Sequence, residues 1–289
     1  MKINSDIVDS PPRHAASLVM LRDAAAGLEV FMLQRHSDSA VLGGAYVFPG
    51  GKLDADDALL GADLDRTPDE LQASLGEPDL SPQAAAGLFV AALREAFEES
   101  GVLFALEADA LQLSDAIALH QQGLSFAALL AQLSLRLSTQ GLVPWSRWIT
   151  PRTPTVSKHR FDTRFFVAAA PERQTARHDN VEATDSVWLT PCAALQLYWE
   201  GRITLAPPQI MSLSHLARHR SVSGVMDEAS KRLPPLIEPE PFNEEGSRVL
   251  TYPGDPRHSV STRALPGPTR LYHRNQRFEP EGGLEALLT

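Results

Sequence analysis

Three carboxylates, Glu95, Glu98 and Glu99, fall at i, i+3 and i+4 in the run Arg94-Glu95-Ala96-Phe97-Glu98-Glu99-Ser100-Gly101. At 3.6 residues per turn they share one narrow helix face. Like charges so placed repel, and each such pair costs an isolated helix roughly a few tenths of a kcal/mol. The spacing therefore asks for a positive partner, either Arg94 or a divalent cation held by oxygen ligands, for which Mg2+ or Mn2+ is suited. The plain alternative is a solvated acidic face. Phe48-Pro49-Gly50-Gly51, upstream, weighs against it, because a glycine pair can bring bare backbone beside a ligand or ion.

A helix must carry these carboxylates. Ser81-Pro82 reads as an N-cap with proline at the first helical position, and Gly101 as the residue just past the end, giving a helix from about 82 to 100. Ala85, Ala86, Phe89, Val90, Leu93, Ala96 and Phe97 fall on its other side, so the helix docks by that face and offers the acids on the opposite one.

Together these residues resemble the signature of the Nudix hydrolases, a glycine, five residues, an acid, a spacer of seven, and then R-E-U-x-E-E-x-G-U with U aliphatic. Gly51 stands at the first glycine, and Arg94, Glu95, Ala96, Glu98, Glu99, Gly101 and Val102 fill the second half in order. Asp57 takes the first acidic position, and the spacer is the 36 residues from 58 to 93. A split signature of this kind is similar to the coenzyme A diphosphatase-like branch, in which stretches like Gly44 to Gly51 and Phe161-Asp162-Thr163-Arg164-Phe165-Phe166 also recur. The resemblance spans roughly residues 14 to 200. It implies an α/β fold, a Nudix-type α/β/α sandwich with a mixed sheet, an extra helical insertion and a C-terminal extension.

The same resemblance assigns roles. Glu95, Glu98 and Arg94 are the candidate catalytic residues; Arg94 would hold the carboxylates in place. Glu98 and Glu99 are the expected metal ligands, Glu95 a ligand or the base that orients water, and the Gly50 carbonyl a further ligand. Relatives carry another acid near the strand that follows Asp179, and Glu182 is its best match. Arg35, Gly51, Arg160 and Arg164 are the candidate substrate-binding residues. The expected cofactor is Mg2+ or Mn2+, and the expected reaction is hydrolysis of a diphosphate linkage in a nucleoside diphosphate derivative, with coenzyme A or acyl-coenzyme A first. ADP-ribose, nucleotide sugars and other such substrates stand as the alternative within the enzyme class. A non-catalytic nucleotide-binding module stands as the alternative outside it.

Composition bounds the rest. At 289 residues the chain can bury a sizeable core, and a hydrophobic content of 43% with 21% charged residues is ordinary for a globular protein. A net charge of -10 argues against broad nucleic-acid or anionic-membrane binding. The one cysteine, Cys192, excludes an intrachain disulfide and reads as a small residue near a helix start. The N-terminal residues lack the apolar core of a secretory signal and the last three, Leu287-Leu288-Thr289, are not a peroxisomal signal, so a cytoplasmic location is the expectation.

Along the chain, residues 14–22 and 28–34 read as a hairpin around Gly27, 46–48 as a short strand, and 58–81 as a loop excursion punctuated by Pro68, Gly76 and Pro78. Helices are expected at 114–122, capped by Ser114, and at 125–137, capped by Ser125, inside an insertion of about 105–140. Strands follow at 142–150, with Pro144 at an edge or bulge, and at 160–169. Lys158, His159, Arg160 and Arg164 concentrate positive charge there, suited either to substrate phosphates or to nearby acids. The Nudix domain is expected to end near 205, after a helix capped by Thr190-Pro191. Residues 206–289 then form a helical and irregular extension, with helices at 208–219 and 222–232 and strand-like pieces at 247–252 and 269–278. That tail could cover the domain, close the cleft or form a homodimer contact.

Overall fold

In the computed structural model, which describes residues 7–37, 42–61, 64–153, 159–179 and 182–289, one long strand organises the sheet. β1 (Arg13–Ala24) turns at Gly27 into β2 (Gly27–Arg35), as the hairpin pattern requires. β3 (Tyr46–Val47) extends β2, and β4 (Gly50–Lys52) runs back along the first half of β1, with Ser17 opposite Gly50 and Ala16 opposite Gly51. Lys158 and Pro154 lie outside the described residues.

Three helices follow. α1 (Ala55–Leu60) and α2 (Pro68–Leu75) precede α3 (Pro82–Ser100), which has the bounds, the Ser81 cap and the left-handed Gly101 that its sequence dictates. The stretch 58–81 is therefore not a bare excursion. Pro68 opens a helix behind a Thr67–Glu70 capping box, and Gly76 ends it in the left-handed conformation. Those residues punctuate a loop and a short helix equally well, and only the helix supplies packing partners for Leu71 and Leu75.

α4 (Ala110–Gln121) begins at Asp109 rather than Ser114, because Asp109 and Gln112 form a reciprocal box. α5 (Phe126–Leu133) is capped by Ser125 as expected but stops at Ser134. β5 (Val143–Ile149) pairs with β6 (Phe161–Ala169) through an irregularity at Pro144, and β6 lies parallel to β1. β7 (Ala183–Leu189) pairs with β2, and α6 (Pro191–Trp199) follows from its Thr190 cap, with Cys192 exposed in its first turn.

α7 (Pro207–Leu216) and α8 (Val222–Ser230) lead to β8 (Leu236–Ile237), which joins the main sheet beside β5. The tail then forms its own antiparallel sheet of β9 (Glu240–Glu244), β10 (Ser247–Thr251), β11 (Arg270–Arg274) and β12 (Arg277–Glu279), before α9 (Glu285–Leu288). No helix among the described residues is long and apolar enough to cross a membrane.

Strand alternation sorts the core into two layers. Leu18, Met20, Phe31, Leu33 and Phe166 face α3 and the helices beside it. Val19, Leu21, Val30, Met32, Phe165 and Val167 face α6, α7, α8 and the tail, so residues beyond 205 supply part of this second core.

α1 reaches α3 by close backbone approach. A Cβ on Gly87 would lie 3.1 Å from Ala58 Cα and 3.1 Å from Leu53 Cδ1, and one on Gly61 would lie 2.8 Å from Ala86 Cβ. Gly87→Val therefore overpacks this contact and lowers stability by about 1–3 kcal/mol in urea unfolding. Gly141→Ala, a position with nothing within 4 Å, is expected to unfold close to wild type.

Candidate active site

The carboxylates of α3 are organised by Arg94, whose guanidinium uses every donor it has. Nε and Nη2 grip Asp57 at 2.8 and 3.1 Å. Nη1 donates to Glu95 Oε1 at 2.8 Å and Glu98 Oε2 at 2.9 Å. Nη2 also donates to the Lys52 carbonyl at 3.0 Å, which fixes the guanidinium to β4. All of these partners are protein groups, so Arg94 is a positioning residue here. Asp57, 1% exposed, is placed by α1, where it also closes the cap of that helix by accepting from Asp54 N–H at 2.8 Å. Burial alone would make Arg94 easier to deprotonate, but its bonds to Asp57 and the charges around it hold its pKa well above the ordinary arginine value.

The glycine pair has two separate steric reasons. A Cβ on Gly50 would lie 2.5 Å from the Ala16 carbonyl, so this residue lets β4 press against β1. A Cβ on Gly51 would lie 2.2 Å from Glu95 Oε1, so this residue lets bare backbone meet the carboxylate. Beside them, Gly50 N–H donates to Glu99 Oε2 at 2.9 Å. The donor on Gly50 that reaches the cluster is thus its amide.

Glu99 is buried and Glu95 and Glu98 are partly buried where the plain amphipathic reading would have them solvated. Burial pushes Glu99, 6% exposed, up to about 8, with Glu95 adding repulsion against the pull of the Gly50 amide and of Arg35. Burial likewise raises Glu95 to about 7, with Arg94 opposing and Glu98 and Glu182 reinforcing. Glu182 is exposed at the start of β7 with its carbonyl accepting from His36 N–H at 2.9 Å, and its charge is felt by both buried acids. The charge of Arg35, at the end of β2, acts on Glu99, and its Nε is buried without a hydrogen-bond partner among the described residues.

These features fit a divalent cation. Glu95 and Glu99 carry burial and mutual repulsion that their protein partners do not remove, and the donor set is all oxygen. Glu95 and Glu98 each give one oxygen to Arg94 and Glu99 gives one to the Gly50 amide, so each carboxylate keeps its second oxygen for an ion.

Arg160 and Arg164 require a correction. Arg164, 1% exposed, donates to Glu77 Oε1 at 2.9 Å and to the Asp162 carbonyl at 2.9 Å, and lies 2.8 Å from His14 Nδ1. Arg147 grips Asp162 at 2.8 and 2.7 Å and reaches Glu77 at 2.9 Å. Arg160 donates to the Thr150 carbonyl at 2.8 Å and to Glu238 at 3.3 Å. Both expected phosphate binders are consumed by protein acids and carbonyls, the second of the two uses their charge suggested. Arg147 and Glu77 were not legible as members of this cluster, because Glu77 is 87 residues from Arg164 and nothing local marks the pair.

Asp57→Asn removes the charge that balances Arg94 in a buried pair and is expected to cost about 3–5 kcal/mol of stability. Chemical denaturation measures this, and loss of less than about 1 kcal/mol would mean that Arg94 is held by Glu95 and Glu98 alone.

Comparison with known proteins places this geometry. Residues 68–216 match the model of the NUDT19 Nudix domain. The acyl-coenzyme A diphosphatase NUDT19 of Xenopus laevis is 28% identical over 78% of this chain and 70% of its own length. A putative nudix hydrolase 7 of Caenorhabditis elegans is 26% identical over 86% of the chain, a share too large to leave out residues 206–289, and 75% of its own length. The human acyl-coenzyme A diphosphatase NUDT19 is 29% identical over 69% of the chain and 63% of its own length. Among solved structures, a NUDIX hydrolase from Alicyclobacillus acidocaldarius superposes with a TM-score of 0.61 at 26% identity, over 78% of this chain and 99% of that one. With its signature helix, its split acidic position and its sandwich all accounted for, the chain belongs to the NUDT19 Nudix family and is a Nudix hydrolase.

Proposed function

We propose that the chain hydrolyses the diphosphate linkage of coenzyme A or acyl-coenzyme A in a reaction that depends on a divalent cation, Mg2+ or Mn2+. The observation that carries this reading is the gathering of Glu95, Glu98 and Glu99 on one helix face, with Glu95 against the bare backbone of Gly51, Glu99 accepting from the Gly50 amide and the charge of Arg35 acting on Glu99. The coenzyme A preference is supported by the relatives of X. laevis and human origin, whose names state that activity. The assignment of residue roles is part of the proposal.

In the reaction, water attacks one phosphorus, the bond from that phosphorus to the bridging oxygen breaks, and each half leaves as a phosphate monoester. A bound divalent ion would neutralise the diphosphate and polarise the attacked phosphorus. Glu98 and Glu99 would hold the ion, with Glu95, Glu182 and the Gly50 carbonyl within the same set of candidates. Glu95 takes the proton of the attacking water when it is not a ligand, a role for which a carboxylate raised to about 7 is suited. Arg35 donates to a phosphate oxygen, and Gly51 keeps side-chain bulk out of the path. Arg94 holds Glu95 and Glu98 in register for both tasks.

Incubation of the protein with coenzyme A, an acyl-coenzyme A, ADP-ribose and a nucleotide sugar, with Mg2+ or Mn2+ and with chelator, tests the reading by mass spectrometry of the products. Release of adenosine 3',5'-bisphosphate and a 4'-phosphopantetheine species only with metal is expected. Cleavage of ADP-ribose in preference to coenzyme A would overturn the substrate while leaving the reaction. Glu98→Gln is expected to lower kcat by at least about two orders of magnitude with an unchanged fold, through loss of charge stabilisation at the ion. Wild-type turnover by that variant would sink the assignment.

The buried acids also set a pH dependence. Because Glu95 and Glu99 are raised above the ordinary 4.5, the folded chain holds more protons than the unfolded one between about 4.5 and 8. In chelator, stability is expected to fall as pH rises through that window. A cation binds the deprotonated acids, so Mg2+ should raise the melting temperature more at about pH 8.5 than at about pH 6. Thermal melts at both values check this, and an equal gain at both would contradict it.

A further inference from the structure

Away from α3, His215, His219 and Glu228 are the one group among the described residues whose candidate ligand atoms all lie within 4.8 Å of one another. Two elements converge to make it. His215 is in the last turn of α7 with His219 just beyond, and Glu228 projects from α8. His215 Nε2 lies 2.9 Å from Glu228 Oε1, and His219 Nε2 lies 3.0 Å from Glu228 Oε2. The second approach is short but misdirected, since His219 Nε2 is buried and makes no hydrogen bond. His215 Nδ1 is also buried and unpartnered. Buried ring nitrogens are ordinarily satisfied, and a cation between the imidazoles and the carboxylate would use the lone pair on His219 that no donor uses.

The surroundings fix the three groups. The His215 ring lies against Trp145 with centroids 4.4 Å apart, and the His219 ring meets the same indole edge-on at 6.2 Å. Arg232 donates to Glu228 Oε1 at 3.0 Å and to the Trp145 carbonyl at 3.0 Å, which orients the carboxylate through one oxygen and leaves Oε2 toward His219. A cavity of about 460 Å³, bordered by Thr190, Cys192, His219 and Arg220, lies beside the cluster.

We propose that His215, His219 and Glu228 form a second metal site, separate from the α3 carboxylates, that takes a transition ion of the zinc type. Two imidazoles and one carboxylate, completed by a water, suit zinc and disfavour magnesium, which prefers oxygen ligands. The Arg232 guanidinium opposes the ion's charge and keeps the affinity moderate. The site ties the end of α7 to α8, and both helices pack against the sheet face that the tail covers, so its effect is on stability rather than on the reaction.

The full chain, held in millimolar Mg2+ to occupy the carboxylate site, is titrated with Zn2+ by calorimetry and followed by thermal melting. One equivalent of zinc is expected, with a rise in melting temperature of roughly 5 °C at a hundredfold excess over Kd. His219→Gln, at the partly buried turn position, should weaken zinc binding by at least about a hundredfold, whereas Glu98→Gln should leave the stoichiometry at one. Cobalt(II) on the unmodified chain supplies a readout that needs no variant, namely the visible ligand-field band of a four-coordinate site. The proposal is overturned if the wild type takes up no zinc in Mg2+, if His219→Gln binds zinc as the wild type does, if Glu98→Gln abolishes the zinc, or if bound cobalt gives only an octahedral spectrum.

Discussion

A single guanidinium shared among three side-chain carboxylates is the interaction on which this site depends. Glu95, Glu98 and Glu99 repel one another on one helix face, which weakens an isolated helix by roughly a few tenths of a kcal/mol per pair. Arg94 answers it from inside the same helix by bonding Glu95 and Glu98 through one nitrogen while its other side is locked by Asp57 and the Lys52 carbonyl. A lysine could supply the charge but not the planar fork, since three donors on one atom cannot serve an acid on α1, a carbonyl on β4 and two acids on α3 together. The sequence separation of 37 residues between Asp57 and Arg94 has no bearing on that geometry. What matters is that α1 lands on α3, which Gly87 and Gly61 allow.

The shortened acid at position 57 fits this arrangement. Aspartate reaches less far than glutamate, so it can pair with Arg94 bidentately only if its backbone lies close. Close approach is what the α1–α3 contact supplies, with a would-be Cβ on Gly87 meeting the Ala58 backbone at 3.1 Å. The substitution at the signature's first acidic position and the helix that carries it are thus one solution to one distance requirement. Charge balance links them as well, because Arg94 engages Asp57 and only two of the three α3 acids, and Glu99 is left buried beside the Gly50 amide and the charge of Arg35.

How much of this was legible depends on how local each cause is. α3 was readable to the residue because its cap, its first-turn proline and its terminal glycine are all encoded within one or two residues of its ends. The hairpin and β6 were readable for the same reason, as apolar runs bounded by turn residues. α2 was hidden because Pro68 and Gly76 mark a loop and a helix boundary alike, and α4 started early because Asp109 outcompetes Ser114 by having Gln112 three residues on. β9 was hidden by Pro241, which sits opposite Leu250 in a small sheet. In the site, Glu95, Glu98, Glu99 and the glycine pair were given by spacing, whereas the fate of Arg160 and Arg164 was not, because the acids that engage them come from positions 77 and 238. The pair His215 and His219 was within reach of sequence by its four-residue interval, but Glu228 becomes its neighbour only once α8 folds back.

The cluster around Arg164 gives the stretch between the two halves of the signature a physical role. Arg147 and Arg164 point from neighbouring strands into a nearly dry layer, and Asp162 alone cannot neutralise both. Glu77, from the turn that joins α2 to α3, supplies the second negative charge and contacts both arginines. Asp162 responds to its surroundings as expected, since burial would raise its carboxyl but the bonds from Arg147 and the charge of Arg164 hold it far below the usual range. A shorter connection without Glu77 would leave two guanidiniums sharing one carboxylate in a buried layer, and an uncompensated charge there costs several kcal/mol. The added residues therefore do more than lengthen a loop. They deliver Asp57 to Arg94 on the signature helix and Glu77 to Arg147 and Arg164 on the neighbouring strands, so the carboxylates of α3 are positioned by a partner from outside that helix as well as by Arg94 within it.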